Sequence, residues 1–257
     1  MRYYDSMQSW ASRRKTLVVL GGITTFLVVV GLYGGVSLLR QPNCLDETKN
    51  GDERGVDCGG KCPRVCRADT QPLVVRFARA LEVDKGVWGA VAYVENRNTG
   101  AGARDVPYVF KLYDAQNILL YERSGQTYVP PRKAFDVFEG RMLSGSRIPA
   151  RATFEFKEQP TFLRIVEQSL VVETKGLESG VNGSRLQAII RNPTRTPQTG
   201  IEATALIFSA DENVIAASAT VVKELAGEGS TIVTFTWPAA FADAARTEVL
   251  YTVPGSP

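Results

Sequence analysis

AVAYVEN, residues 90–96, and LQAIIRN, residues 186–192, are the stretches on which the reading of this chain turns. Each is an apolar run closed by an asparagine, and 96 positions separate them. The same displacement lays SADENVI (209–215) over YDAQNIL (113–119). Ala90, Ala92, Val94 and Asn96 thereby match Leu186, Ala188, Ile190 and Asn192. Each asparagine precedes a loop of Asn, Thr, Gly or Pro, where its side chain can hydrogen-bond turn backbone. The repeat predicts two tandem copies of one β-unit of roughly 90 residues.

The flanking text reads as strands, because short alternating runs are separated by turn residues from Gln71 onward. Leu73–Val83 is a first strand. Val87–Glu95 is apolar on both faces, as in a central strand covered on each side. Val106, Tyr108, Phe110 and Leu112 alternate cleanly, and Asp114–Asn117 makes the turn. Ala152, Phe154 and Phe156 face one way, against Thr153, Glu155 and Lys157. In the second half Val233, Phe235 and Trp237 alternate with Ile232, Thr234 and Thr236, whereas the phase of Ile201–Phe208 is ambiguous. With no convincing helix in this region, paired β-sandwiches are expected. The boundary is expected near Gln159-Pro160, where proline limits strand continuation.

Phe110-Lys111-Leu112-Tyr113-Asp114 carries the pattern F-x-L-Y-D at the end of a strand, with Asn96 upstream and the Gln116-Asn117 turn after it. Residues 71–158 thereby resemble the FxLYD family of prokaryotic Ig-like β-sandwiches. The resemblance implies an envelope-associated module and brings no catalytic residues. Tyr113 and Asp114 are expected to serve the turn and its packing. At the corresponding place the second half has Leu206-Ile207-Phe208-Ser209-Ala210, so it is expected to be a diverged copy.

Upstream, Cys44, Cys58, Cys62 and Cys66 are the only cysteines. An even set confined to one short segment reads as two disulfides, whose pairing the spacing leaves open. The segment holds too few apolar residues to bury a core and needs covalent staples. Asn50-Gly51 and Gly59-Gly60 supply the positive-φ positions of tight turns. NG-[DE]-E-x-GVDCGG-x-C, matched by Asn50–Glu53, Gly55–Gly60 and Cys62, resembles a short cysteine-rich module of surface and secreted proteins. Two sharper readings compete. Zinc prefers C-x2–4-C doublets separated by a longer loop, whereas the last three cysteines here are spaced C-x3-C-x3-C. Calcium could use Asp46, Asn50, Asp52, Glu53 and Asp57, but their spacing is not that of an EF-hand, and loop carboxylates are commonly just solvated.

Further upstream, Thr16–Leu39 runs 24 residues without a charge. As a helix it would reach about 36 Å, enough for a bilayer core of about 30 Å. Arg13-Arg14-Lys15 abuts it, while the far side offers only Arg40 before Asp46 and Glu47. The positive-inside rule then puts the tail in the cytoplasm and the rest outside. A cleaved signal would have a shorter apolar core and a small-x-small site, so an uncleaved anchor is expected. Gly31 and Gly35 have the G-x-x-x-G spacing that lets two helices dimerise, although glycine is common in membrane helices without that role. The expected order is a cytoplasmic basic tail at 1–15, a transmembrane helix at 16–39, a disulfide stalk at 40–70, and Ig-like sandwiches at 71–159 and 160–257. The fold class is therefore mainly β behind one membrane helix.

Charge and composition narrow the function. Residues 1–40 sum to +4 of a net +3, so everything after them is −1 and nucleic-acid binding gains no support. There is no histidine, which removes the commonest general base and metal ligand. No nucleophile elbow, phosphate loop, zinc-protease motif or dinucleotide fingerprint occurs. Ser144-Gly145-Ser146 reads as a flexible loop, and Glu155 with Glu158 as a solvent face. Neither catalytic residues nor a cofactor is expected, and the chain is not expected to be an enzyme. One further stretch, Tyr128–Pro149, joins Pro130-Pro131 to Arg132, Lys133, Arg141, Phe135 and Phe138. It reads as an interaction surface or, more simply, as a proline-guarded edge strand. The expected function is presentation of Ig-like domains for protein interaction or envelope assembly. A ligand- or carbohydrate-binding surface receptor is the alternative, and a hydrolase the third reading.

Overall fold

The computed structural model describes residues 3–39, 43–166 and 169–254. Arg2, Arg40 and Gln41-Pro42 lie outside the described residues. The chain divides into two compact units, the first ending at Asp57 and the second spanning Cys58–Pro257.

The first unit opens with helix α1, Tyr3–Leu39. It starts well before the expected Thr16, because residues 3–15 contain neither glycine nor proline to stop it. Its apolar window, Arg13–Gly35, has a mean hydropathy of 2.2 and is unburied, so among the described residues one helix is long and apolar enough to cross a membrane. Two threonines are tolerated there because their hydroxyls donate back to the helix, Thr24 to the Leu20 carbonyl at 2.7 Å and Thr25 to Gly21 at 2.9 Å. The space beside Gly31 and Gly35 is open.

The loop after the helix is held by its own carboxylates. Asp57 accepts from the amides of Asp46 (3.1 Å) and Glu47 (3.0 Å), and Glu53 from those of Asn50 and Asp57 (3.2 Å each). Asp46 takes the Asn50 side-chain amide at 2.7 Å. These acidic groups therefore satisfy backbone donors that a coreless loop would otherwise leave to water. Gly51, Gly59 and Gly60 have φ of 53°, 75° and 56°, as the turn reading required.

In the second unit Cys58 is bonded to Cys66, with Cα atoms 5.0 Å apart. Cys44 and Cys62 are disulfide-bonded as well, and no cysteine is free. Zinc thiolates are thus not what these cysteines form. Alkylation followed by mass spectrometry is expected to modify no cysteine before reduction and all four after it; labelling of the unreduced chain would contradict this. The segment then joins the β-structure. The amide of Val65 donates to the Phe162 carbonyl (2.9 Å) and that of Arg164 to Pro63 (2.7 Å).

Fourteen strands follow among the described residues: β1 (Val74–Asp84), β2 (Val87–Asn96), β3 (Ala101–Tyr113), β4 (Leu119–Val129), β5 (Lys133–Ser144), β6 (Arg151–Phe156), β7 (Leu163–Arg164), β8 (Val171–Thr174), β9 (Glu178–Gly180), β10 (Gly183–Arg191), β11 (Gln198–Ser209), β12 (Val214–Leu225), β13 (Ser230–Trp237) and β14 (Ala244–Thr252). They form antiparallel sheets ordered β1-β2-β5 and β4-β3-β6, then β8-β10-β13 and β12-β11-β14. The second pair of sheets repeats the pairing plan of the first. β7 still pairs with β3, so the chain leaves the first pair a few residues after the expected Gln159-Pro160.

Each pair encloses a core. Ala90, Ala92 and Val94 of β2 meet Tyr108, Phe110 and Leu112 of β3 and Phe135 of β5. Leu186, Ala188 and Ile190 of β10 meet Ala203, Ala205 and Ile207 of β11 and Phe235 of β13. The inward alternation of Val233, Phe235 and Trp237 holds, as does that of Ala152 and Phe154. A third cluster lies between the pairs, where Leu81 and Val91 meet Leu206, Phe208, Val214 and Leu250. Four sheets are thus stacked in the order β4-β3-β6, β1-β2-β5, β12-β11-β14, β8-β10-β13. The strands read as apolar on both faces, β2 and β11, are the central strands of the two inner sheets.

The structure corrects the repeat by one residue. β2 and β10 are related by 96 positions, but the inward residues Val106, Tyr108, Phe110 and Leu112 correspond to Ile201, Ala203, Ala205 and Ile207, a displacement of 95. The slip falls in the loop after the central strand, where Asn96 reaches the carbonyl of Ala101, five residues on, but Asn192 that of Thr196, four residues on; the positive-φ positions Asp105 (51°) and Gly200 (65°) then match at 95. The displacement stays 95 through the next turn and returns to 96 along β5 and β13, where Val137 pairs with Ala92 as Val233 does with Ala188. Asn117 and Glu212 occupy matching turn positions with φ 60° and 58°. The second copy of the motif is therefore Ala205-Leu206-Ile207-Phe208-Ser209, with Phe208 in the place of Tyr113.

Candidate functional site: the seam between the sheet pairs

Two buried asparagines show what the repeat preserves. The Asn96 side-chain amide donates to the carbonyls of Ala101 (2.8 Å) and Pro130 (2.7 Å), and its oxygen accepts from the Asn98 amide (3.0 Å). Asn192 donates to Thr196 (2.9 Å) and Ala226 (3.1 Å) and accepts from the Thr194 amide (3.0 Å). In both copies one side chain ties the end of a central strand to the next loop and to the loop beyond the fourth strand. These are loop clamps, as the position at a strand end predicts.

The motif residues are likewise structural. Phe110 and Leu112 are fully buried. Asp114 accepts from the amides of Gln116 (3.0 Å) and Ile118 (2.8 Å), closing the turn, and the Arg151 guanidinium sits 4.3 Å over the Tyr113 ring.

The stretch after Tyr128 does not assemble as one outward surface. It is an edge strand, β5, entered through the buried Pro130 and Pro131. Phe135 is fully buried in the first core and Phe138 packs into the seam, because adjacent even and odd positions of a strand point to opposite sides. Of the bases, Arg132 and Arg141 are exposed, while the Lys133 ammonium lies 3.0 Å from the centroid of the Tyr251 ring.

The seam gathers side chains that no motif flagged. Its apolar half is the Leu81–Leu250 cluster. Beside it, the Tyr93 hydroxyl donates to Glu248 at 3.1 Å, with the Tyr93 ring stacked on Phe77 at 5.4 Å. Arg246 donates to Glu248 and Glu212 at 2.8 Å each and lies 3.7 Å over the Phe208 ring. Burial, together with Glu248, pushes the Tyr93 phenol up to about 12. Within the first pair, Tyr108 of β3 donates to Glu139 of β5 at 2.6 Å and Arg123 of β4 closes on the same carboxylate at 3.1 Å. Burial, reinforced by Glu139, also raises the Tyr108 phenol. Gly125 makes room for that ring, since a Cβ there would collide with the Tyr108 hydroxyl.

Alongside this network lies a cavity of about 250 Å³, bordered by Gln126, Thr127, Asp136, Glu202, Thr204 and Thr252. It is smaller than the general run of small-molecule sites, roughly 300–1,000 Å³. Phenols raised this far stay protonated near neutrality and serve as fixed donors. The arrangement joins two sheets; it does not present a paired nucleophile and base. Sequence signals for it existed in retrospect: Tyr93, Asp136 and Thr204 are lone polar residues within apolar runs.

No family model and no curated protein sequence matches the chain. Among solved structures, the crystal structure of red sea bream transglutaminase is similar at 14% identity, over 72% of this chain and 31% of that one, with a TM-score of 0.23. The chain spans less than a third of that enzyme, and a likeness this slight carries no argument about activity.

Proposed function

We propose that this is a single-pass membrane protein that holds two Ig-like domains outside the membrane for protein–protein interaction or envelope assembly. The observation that carries the reading is the order along the chain: basic flank, unburied apolar helix, fully oxidised cysteine segment, stacked β-sheets. Disulfides persist in oxidising compartments, which favours the outer side for everything after the helix. The inner sheets are locked together by the seam, so the two domains would be offered to a partner as one rigid body, and the work is binding, with no chemistry of its own. A carbohydrate- or ligand-binding receptor is less well supported, because no aromatic side chain among the described residues of Cys58–Pro257 is exposed as a stacking platform. Protease added to intact spheroplasts is expected to remove a C-terminal epitope and spare an N-terminal one. Protection of the C-terminal epitope would overturn the topology. Cross-linking from the native membrane should then recover a protein partner, and recovery of glycan alone would favour the receptor reading.

A further inference from the structure

Five bases and two acids border a pair of adjoining clefts at one end of the first sheet pair, although the chain after residue 40 sums to −1. One cleft, about 770 Å³, takes Arg97 and Arg164 with Asp69. The other, about 690 Å³, takes Arg64, Arg67 and Lys157 with Glu158, and Val65 and Gln71 line both. Backbone pairing gathers them. Arg64 bridges Leu163 of β7, the Arg164 amide donates to the Pro63 carbonyl at 2.7 Å, and β7 pairs with β3 at Ala101. Arg132 joins the same end, since its amide donates to the Asn98 carbonyl at 2.9 Å. It holds φ 42°, a left-handed conformation that glycine would adopt more cheaply. Arg97 is committed to Glu95 at 3.2 Å. Arg64, Arg67, Arg132 and Arg164 are exposed, and among the described residues their side chains make no ion pair or hydrogen bond. Val166, which lines the first cleft beside Arg164, is 82% exposed. Phe156 and Phe162 pack on the first core, so neither cleft offers a ring for stacking on a nucleic-acid base.

We propose that this end of Cys58–Pro257 is a docking surface for anionic phospholipid headgroups, with the four arginines on the phosphates and Val166 in the acyl boundary. A guanidinium presents a planar fork of donors that matches phosphate oxygens, and an arginine without a partner gives up no existing ion pair to do so. Bases beside an exposed apolar side chain are the composition of a surface that lies in a lipid interface. The chain itself favours lipid as the occupant. Cys58 follows Leu39, the last residue of α1, by 19 residues, which fully extended span at most about 65 Å. A bilayer crossed by that helix therefore always offers headgroups within reach. The inference rests on the membrane span proposed above, and not on its direction. Docking here leaves the far ends of β1 and β3, with the turns at Lys85-Gly86 and Asp114–Asn117, turned away from lipid and open to a partner.

The test is hydrogen exchange of the full chain in nanodiscs, which present both faces of the bilayer and so read this surface whichever way the chain is oriented in a cell. Discs of phosphatidylcholine alone are compared with discs containing about one-third phosphatidylglycerol, at about 50 mM and about 500 mM salt. Peptides covering 61–71, 97–104 and 161–166 are expected to exchange about threefold more slowly in the anionic discs at low salt, and equally in both at high salt. The triple variant Arg64→Gln, Arg67→Gln and Arg164→Gln should lose the difference. Arg132→Gly, which suits the left-handed backbone and so keeps the turn, should weaken it. Lys85→Glu with Arg147→Glu, at the opposite end, should retain it. Equal exchange in the two discs at low salt, an undiminished difference in the triple variant or in Arg132→Gly, or its loss in the Lys85–Arg147 variant would each overturn the proposal. So would slowing by soluble polyphosphate in phosphatidylcholine discs with no response to phosphatidylglycerol, which would make the ligand a free polyanion.

Discussion

Replacing Leu206 by aspartate is expected to part the two sheet pairs while leaving each one folded. Leu206 is fully buried, and it points away from the core of its own pair, into the cluster shared with Val91 and Leu81. Truncation to alanine at such a site costs about 2–5 kcal/mol, and a buried unpaired carboxylate costs more. Because the residues on either side of it, Ala205 and Ile207, face the second core, that core keeps its lining. The measurement is thermal unfolding of the full chain in detergent. The wild type should unfold in one transition and Leu206→Asp in two. Ile190→Asp, buried inside the second pair, should instead unfold that pair outright. A single unshifted transition in Leu206→Asp would show that the seam contributes little.

The second large effect is expected at Asn96. Alanine there leaves the Ala101 and Pro130 carbonyls without their donor and the Asn98 amide without its acceptor. Buried polar groups left unpaired cost about 1–3 kcal/mol each, so a loss of roughly 3–5 kcal/mol is expected. For a unit of this size that lowers the melting temperature by about 10 °C. Asn96→Asp keeps the acceptor but turns a carboxylate toward two carbonyls, and should be at least as damaging. Asn192→Ala should behave alike, since its amide reaches Thr196 and Ala226 in the same manner. A melting temperature within a degree or two of wild type in Asn96→Ala would mean that water replaces the clamp at no cost.

Period and punctuation made much of this chain legible before any coordinates. Alternation placed the strands around Phe110, Phe154 and Phe235, because a half-buried strand writes its two environments into successive residues. The paired asparagines exposed the repeat, since a buried amide at a strand end has few substitutes. Thr16–Leu39 announced a helix able to cross a membrane by length and lack of charge alone. The four cysteines, confined to one coreless segment, announced disulfides.

Other features depended on which surfaces meet across long distances in the chain. The ambiguous phase of Ile201–Phe208 was real information that could be decoded only once β11 was seen between two cores. The one-residue slip in the repeat came from a loop one residue longer after β2 than after β10, which leaves no mark in a pattern of apolar residues. Phe135 looked available to a partner until its strand position turned it inward. Which side chains meet in the seam was illegible for the same reason. Local sequence records whether a side chain is buried, through its polarity and period. It does not record what buries it, because Asp136 and Thr204 lie 68 positions apart and become neighbours only when one sheet is laid on another.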